Sequence, residues 1–444
     1  MKRAKKTFTT PPPGVANLLD PGSTIRSLDN FQVRAVGNDS RFPFFILDNS
    51  GLGYSFGVKL RNKNMDEEQR SELLRKLEES LSLKSNNPLI DYTYGFSLVR
   101  RCMNEDDFLS FKYTDDDKPL SAERVRELKK LSKNLTVQAV DCYFSIAASP
   151  SKFMNESKFS IFERIKGIYN EEQKFKMQSS LLDELIVEFG DKVSQTLATI
   201  SRLGLQTDCP KTEQDLLKIA RKAWRPYYNP NLKEGEVSVN VTDLSLREST
   251  YISAADFLTK ELGIEQYKKF WLSDGCFNML FSMEYAPDPN ILFSAEEIDK
   301  IMTLGRQPGI SNKPYLGTYT VCWSSLTHEE ADLKFRLKNA MAQSLLTDKK
   351  GMFENKGAAK EAADIDRMHE EHIAGGSDMV RATAMYQLSI PLEYLEDYFE
   401  KTVSDADYIN MIERNVTDQL NDVGYSQWRS EARTYFGPWI NSIP

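Results

Sequence analysis

The sequence predicts an α+β protein: two mixed antiparallel sheet and helix subdomains with long helices and a helical arm. Three observations carry that expectation. Strand-like and helix-like stretches alternate across residues 42–150, a mostly helical stretch follows, and a second β-rich stretch comes after it. At 444 residues the chain is too long for one ordinary core. With 40% hydrophobic and 27% charged residues, including 24 Phe, 19 Tyr and 5 Trp, it has the composition of a folded protein. The divisions expected are a basic, proline-containing flexible leader over 1–40, an α+β subdomain over 41–150 and a helical bridge over 151–235. A second α+β subdomain, with an arm over about 328–374, then fills 236–444.

The elements follow in order. In "FPFFILDNSGLGYSFGVKL" two apolar runs flank Asn49, Ser50 and Gly51, which predicts a β-hairpin. Asn64 and Glu67 cap a helix whose Leu73, Leu74, Leu77 and Leu81 share a face. "PLIDYTYGFSLVRR" reads as a strand, "SAERVRELKKLSKN" as a helix and "TVQAVDCYFSIAAS" as a strand. Helical spacing runs from Glu156 to Leu203, with Gly190 and Gly204 as breaks or caps. "TEQDLLKIARKAW" is a further helix ended by Pro226, with the look of a bridge more than a core. Strands are expected on both sides of Ser273-Asp274-Gly275, then in "PYLGTYTVCWSSL" and "MVRATAMYQLSI". The polar run from His328 to Ile373 forms the arm. A last helix carries Tyr408, Met411, Ile412, Val416 and Leu420 on one face and stops at Gly424. No repeat of fixed period is visible.

Several chemistries are disfavoured at this level. None of the 22 glycines has another five positions on, so the spacing that wraps phosphates in a P-loop is missing. Gly51, Gly53 and Gly57 are one residue too wide for a dinucleotide fingerprint and sit in a hairpin. In "DRMHEEHIAGG", His369 and His372 are three apart, whereas a zincin needs them four apart with the glutamate as base. They are the only weak metal candidates, beside the reading of two exposed histidines on a charged helix. No GxSxG occurs, and Cys142, Cys276 and Cys322 fall in strands where burial is the default. Five cysteines without a CxxC pair fit a reducing compartment. A net charge of −8 argues against a surface that coats nucleic acid, and contact with nucleic acid stays open. The leader carries Lys2, Arg3, Lys5 and Lys6, followed by prolines instead of an apolar core, so a signal peptide is not expected and a cytoplasmic location is. Those four cations are candidates for an acidic membrane surface, beside the reading of a solvated leader.

Three passages, in order, resemble one family. "FFILDNSGLGYSFGV", "DCYFSIAASPSK" and the stretch from "MVRATAMYQLSIP" through "ADYINMIERNVTDQLNDVGYSQWRSEARTYFGPWINSIP" are similar to the N-terminal half of TraC-like conjugative type IV secretion ATPases. The match in order and spacing covers about Arg41 to Pro444. The resemblance implies a docking and oligomerisation half that anchors a motor to inner-membrane subunits for pilus assembly and DNA transfer. It implies a cytoplasmic protein peripheral to the inner membrane, in a homo-oligomer that is hexameric in the family. No cofactor is expected in this chain; ATP and Mg²⁺ belong to the ATPase domain. The closing "RTYFGPWINSIP" then reads as the junction to that domain, with Phe436, Trp439 and Ile440 packing onto it and a P-loop expected downstream. Two other readings stay open: a metal-dependent enzyme using His369 and His372, and a structural subunit of another large assembly.

Overall fold

A computed structural model describes residues 33–39, 41–47, 51–59, 90–102, 123, 124, 126, 127, 130, 138–150, 171–202, 205–227, 258, 264–267, 269–285, 295–304, 315–325, 336, 337, 339, 340, 363, 367, 380–391, 405–423 and 426–431. Twelve strands occur among them: β1 (Val33–Asp39), β2 (Phe42–Leu47), β3 (Leu52–Lys59), β4 (Ile90–Cys102), β5 (Gln138–Pro150), β6 (Gln206–Asp208), β7 (Glu265–Gln266), β8 (Trp271–Ser273), β9 (Cys276–Tyr285), β10 (Gly317–Ser325), β11 (Val380–Pro391) and β12 (Gln427–Ser430). The helices are α1 (Glu171–Arg202), α2 (Glu213–Trp224), α3 (Ala295–Met302) and α4 (Asp405–Asn421). The class is α+β, as expected.

All twelve strands belong to one sheet, ordered β1-β2-β3-β5-β4-β10-β11-β9-β8-β7, with β6 on β3 and β12 on β9. Each pairing is antiparallel. The two β-rich stretches therefore share one sheet, joined where β4 pairs with β10 from Thr93↔Ser324 to Arg100↔Gly317. That order is a palindrome. Each half has a hairpin (β2-β3, β8-β9), a short outer strand (β1, β7), a pair of long strands (β4-β5, β10-β11), then a helix (α1, α4) leading to a strand on the hairpin (β6, β12). The registers superimpose the halves with Leu52, Tyr54 and Phe56 on Phe277, Met279 and Phe281, and Phe144 and Ile146 on Tyr386 and Leu388. The same correspondence sets Ser97 on Thr320, which are directly paired. A pseudo-two-fold axis thus crosses the sheet at that pair.

Side-chain alternation explains what lies on each face. One face carries Tyr54, Phe56, Tyr92, Tyr94, Phe144, Tyr319, Tyr386 and Phe281, all buried. β5 and β6 run parallel on the two sides of β3, and β11 and β12 on the two sides of β9. Crossovers between parallel strands of one sheet are right-handed, which puts α1 and α4 on the same face. There Phe189 of α1 meets Phe42, ring centroids 5.9 Å apart, and Lys192 lies over the Tyr92 ring. The other face carries smaller side chains, among them Ser55, Ser97, Ser145 and Thr320, and α2 covers its β1–β3 end.

Several elements differ from their sequence expectations, each for a physical reason. Val33–Asp39, placed in the leader, pairs with β2 as a strand. Gly190 neither breaks nor caps α1: a Cβ there would lie 2.6 Å from Phe42 Cε1 and 2.7 Å from Arg41 Nη2, so the glycine permits close helix–sheet approach. α2 is core instead of a bridge, with Leu216, Leu217, Ala220 and Trp224 buried. Its start is held by a capping box between Thr212 and Asp215. On α4, Ile412, Val416 and Leu420 are buried as expected, whereas Met411 is 42% exposed. A duplication is present in the topology although no repeat shows in the sequence. The expected helix at 64–81, Gly204, Gly424 and the Tyr408 side chain lie outside the described residues. Described positions at 336, 337, 339, 340, 363 and 367, within the expected arm, are helical.

Candidate docking surface

Every residue singled out for function from the sequence lies outside the described residues: His369, His372, Phe436, Trp439, Ile440, Lys2, Arg3, Lys5 and Lys6. What the structure does place is the frame from which those segments leave. The leader runs into β1 at one outer edge, and the closing segment leaves β12 beside β9.

Among the described residues no group of three or more His, Cys, Asp and Glu side chains is arranged to hold a metal ion. Desolvation in the sheet pushes the Cys142 and Cys322 thiols up to about 12 and about 11, so both stay protonated at neutral pH and are poor nucleophiles. Burial likewise raises the hydroxyls of Tyr94 and Tyr315 to about 12. At neutral pH these groups pack in their protonated forms.

Two polar constructions stand out. The first is Arg225, directly after α2, which is fully buried and reaches from one half of the sheet to the other. Its Nε donates to Asp274 Oδ2 at 3.0 Å, Nη2 to Oδ1 at 2.5 Å and Nη1 to the Leu258 carbonyl at 2.9 Å. Asp274 sits at φ 52° and Gly275 at φ 71° in the β8-β9 turn. Such a turn needs residues that tolerate positive φ, hence Asp-Gly. The forked guanidinium fits a carboxylate bidentately, and full pairing is what makes two buried charges tolerable. Sequence reading found the Asp-Gly turn but not its partner, since nothing local signals a contact 49 residues away.

The second construction is the small-residue face. Ser97 and Thr320 hydroxyls meet at 2.9 Å on the pseudo-two-fold axis, and Ser145 Oγ donates to the Gly95 carbonyl at 3.3 Å. Further along, Asn278 Oδ1 accepts from Ser389 Oγ at 2.7 Å and from Gln387 Nε2 at 3.2 Å. The coverage of this face is unequal between the halves. Val99 and Tyr143 are buried with Ile219 and Ala223 of α2, while their counterparts Cys322 and Met385 are half-buried and neighbouring Thr383 is exposed.

No family model and no curated protein matches the chain. None of the described helices is long and apolar enough to cross a membrane.

Proposed function

We infer that this chain is the docking and oligomerisation half of a TraC-like conjugative type IV secretion ATPase, with ATP hydrolysis assigned to a motor domain outside these residues. The observation that carries the reading is the ordered resemblance of three passages over about Arg41 to Pro444, combined with glycine spacing that rules out a P-loop. Those passages fall on β2-β3, on β5 and the residues after it, and on β11 through β12. They are therefore the framework of both halves, the part a family would hold in common. A broad sheet in which Ser97 bonds to Thr320 and Ser389 to Asn278, and whose Cys142 thiol is held protonated, suits a scaffold for partners.

On this reading the protein is cytoplasmic and peripheral to the inner membrane, assembles as a homo-oligomer and binds inner-membrane subunits of the secretion apparatus. Lys2, Arg3, Lys5 and Lys6 add an electrostatic contact with acidic lipid worth about 1 kcal/mol each near the surface. The test is to assay the purified 444-residue chain for ATP hydrolysis and for co-purification with inner-membrane subunits of a conjugative type IV secretion apparatus expressed with it. No hydrolysis together with stable capture supports the reading. Hydrolysis by this chain alone, or failure to retain any of those subunits, overturns it.

A further inference from the structure

We propose that a buried water molecule bridges Thr318 and Gln387 on the small-residue face of the second half, joining β10 to the polar network of β9 and β11. Thr318 lies directly opposite Gln387, and the two are 7% and 8% exposed. Gln387 belongs to the network around Asn278: its Nε2 donates to Asn278 Oδ1 at 3.2 Å and to Ser389 Oγ at 3.1 Å. Asn278 in turn donates from Nδ2 to Ser273 Oγ at 3.2 Å and to the Cys276 carbonyl at 3.1 Å. Thr318 Oγ1 stands outside that network. It is buried and has no hydrogen-bond partner among the described residues.

The pseudo-two-fold axis supplies an internal comparison. In the first half the counterparts of Thr318 and Gln387 are Gly95 and Ser145, likewise directly opposite each other. There the pair satisfies itself: Ser145 Oγ donates to the Gly95 carbonyl at 3.3 Å, and a Cβ on Gly95 would fall 2.7 Å from that oxygen. The second half has a hydroxyl where the first has a glycine, and its glutamine amide bonds to Ser389 on its own strand and to Asn278 on the strand beyond. Thr318 is left on the other side. A buried hydroxyl without a partner carries a desolvation cost, and such groups in folded proteins are met by ordered water. A buried water uses about two to four polar partners. Thr318 Oγ1 supplies a donor, and Gln387 Oε1 supplies an acceptor that the bonds of Nε2 leave unused. The Thr318 hydroxyl donates to the water, and the water donates to Gln387 Oε1.

This inference does not rest on the docking role, and it is tested on the full chain. In a high-resolution crystal structure, density for an ordered water should lie within hydrogen-bond distance of both Thr318 Oγ1 and Gln387 Oε1. As a second measurement, Thr318→Val keeps the side-chain shape and replaces the hydroxyl with a methyl group. Losing the bridge should lower the urea midpoint of the variant, and oxygen-17 relaxation dispersion should count one long-lived internal water fewer than in the wild-type chain. If the hydroxyl were buried without a water, the same change would remove a desolvation cost and raise the midpoint. Absence of density between the two atoms, an unchanged water count, or a midpoint that stays level or rises overturns the proposal.

Discussion

At the scale of single residues, the strongest effects belong to groups whose partners cannot move. Arg225→Ala leaves the Asp274 carboxylate buried without its counter-ion, and urea unfolding should show a loss of about 3–5 kcal/mol. Arg225→Met combined with Asp274→Asn removes both charges and keeps a residue that tolerates positive φ. The double variant should recover much of that loss. Gly190→Ala forces a methyl group onto the buried Phe42 ring and should cost about 1–3 kcal/mol by the same measurement. Alkaline pH gives a third readout. Cys142, Cys322, Tyr94 and Tyr315 hold their protons more tightly folded than unfolded. The unfolded chain therefore sheds protons first as pH rises. The contribution of these four groups to stability should be level from neutral pH to about pH 9 and fall between about pH 9 and about 12.

At the scale of elements, α2 tests whether core or bridge describes it. Leu217→Ala should cost about 2–5 kcal/mol, the range for a fully buried leucine, where a solvated bridge would lose almost nothing. Thr212→Ala, which removes the cap, should cost about 1 kcal/mol. Elements of this kind also mark how far the sequence is readable. Hairpin β2-β3 and strands β4, β5, β9, β10 and β11 announce themselves through aromatic, β-branched runs and turn residues, because those signals are local. β6, β7 and β12 are two to four residues long and exist because a neighbouring strand offers an edge. No local pattern predicts them. Gly190 was misread for a related reason: its role is set by Phe42, nearly 150 residues earlier, and a glycine in a helix looks the same from sequence whether it ends the helix or lets it approach. The candidate site was legible only as composition, basic at one end and aromatic at the other, and its residues lie outside the described ones.

At the scale of the whole molecule, the seam between β4 and β10 makes one sheet of two equivalent halves, with Arg225 and Asp274 as a second tie between them. The halves should therefore melt together: calorimetry of the wild-type chain should give a single transition, and the Arg225→Ala variant should broaden or split it. Ser97→Ala should cost about 1–3 kcal/mol by orphaning the buried Thr320 hydroxyl, and adding Thr320→Val should return most of it. That pair also answers a question of self-recognition. A residue on a two-fold axis must meet its own counterpart, so its side chain has to complement itself. A carboxylate would repel its copy, and an ammonium group would do the same. A hydroxyl donates with one hand and accepts with the other, in either direction, and so is small enough and ambivalent enough to face its own image. Serine opposite threonine at the centre of this sheet is the side-chain chemistry that such a mirror-like encounter permits.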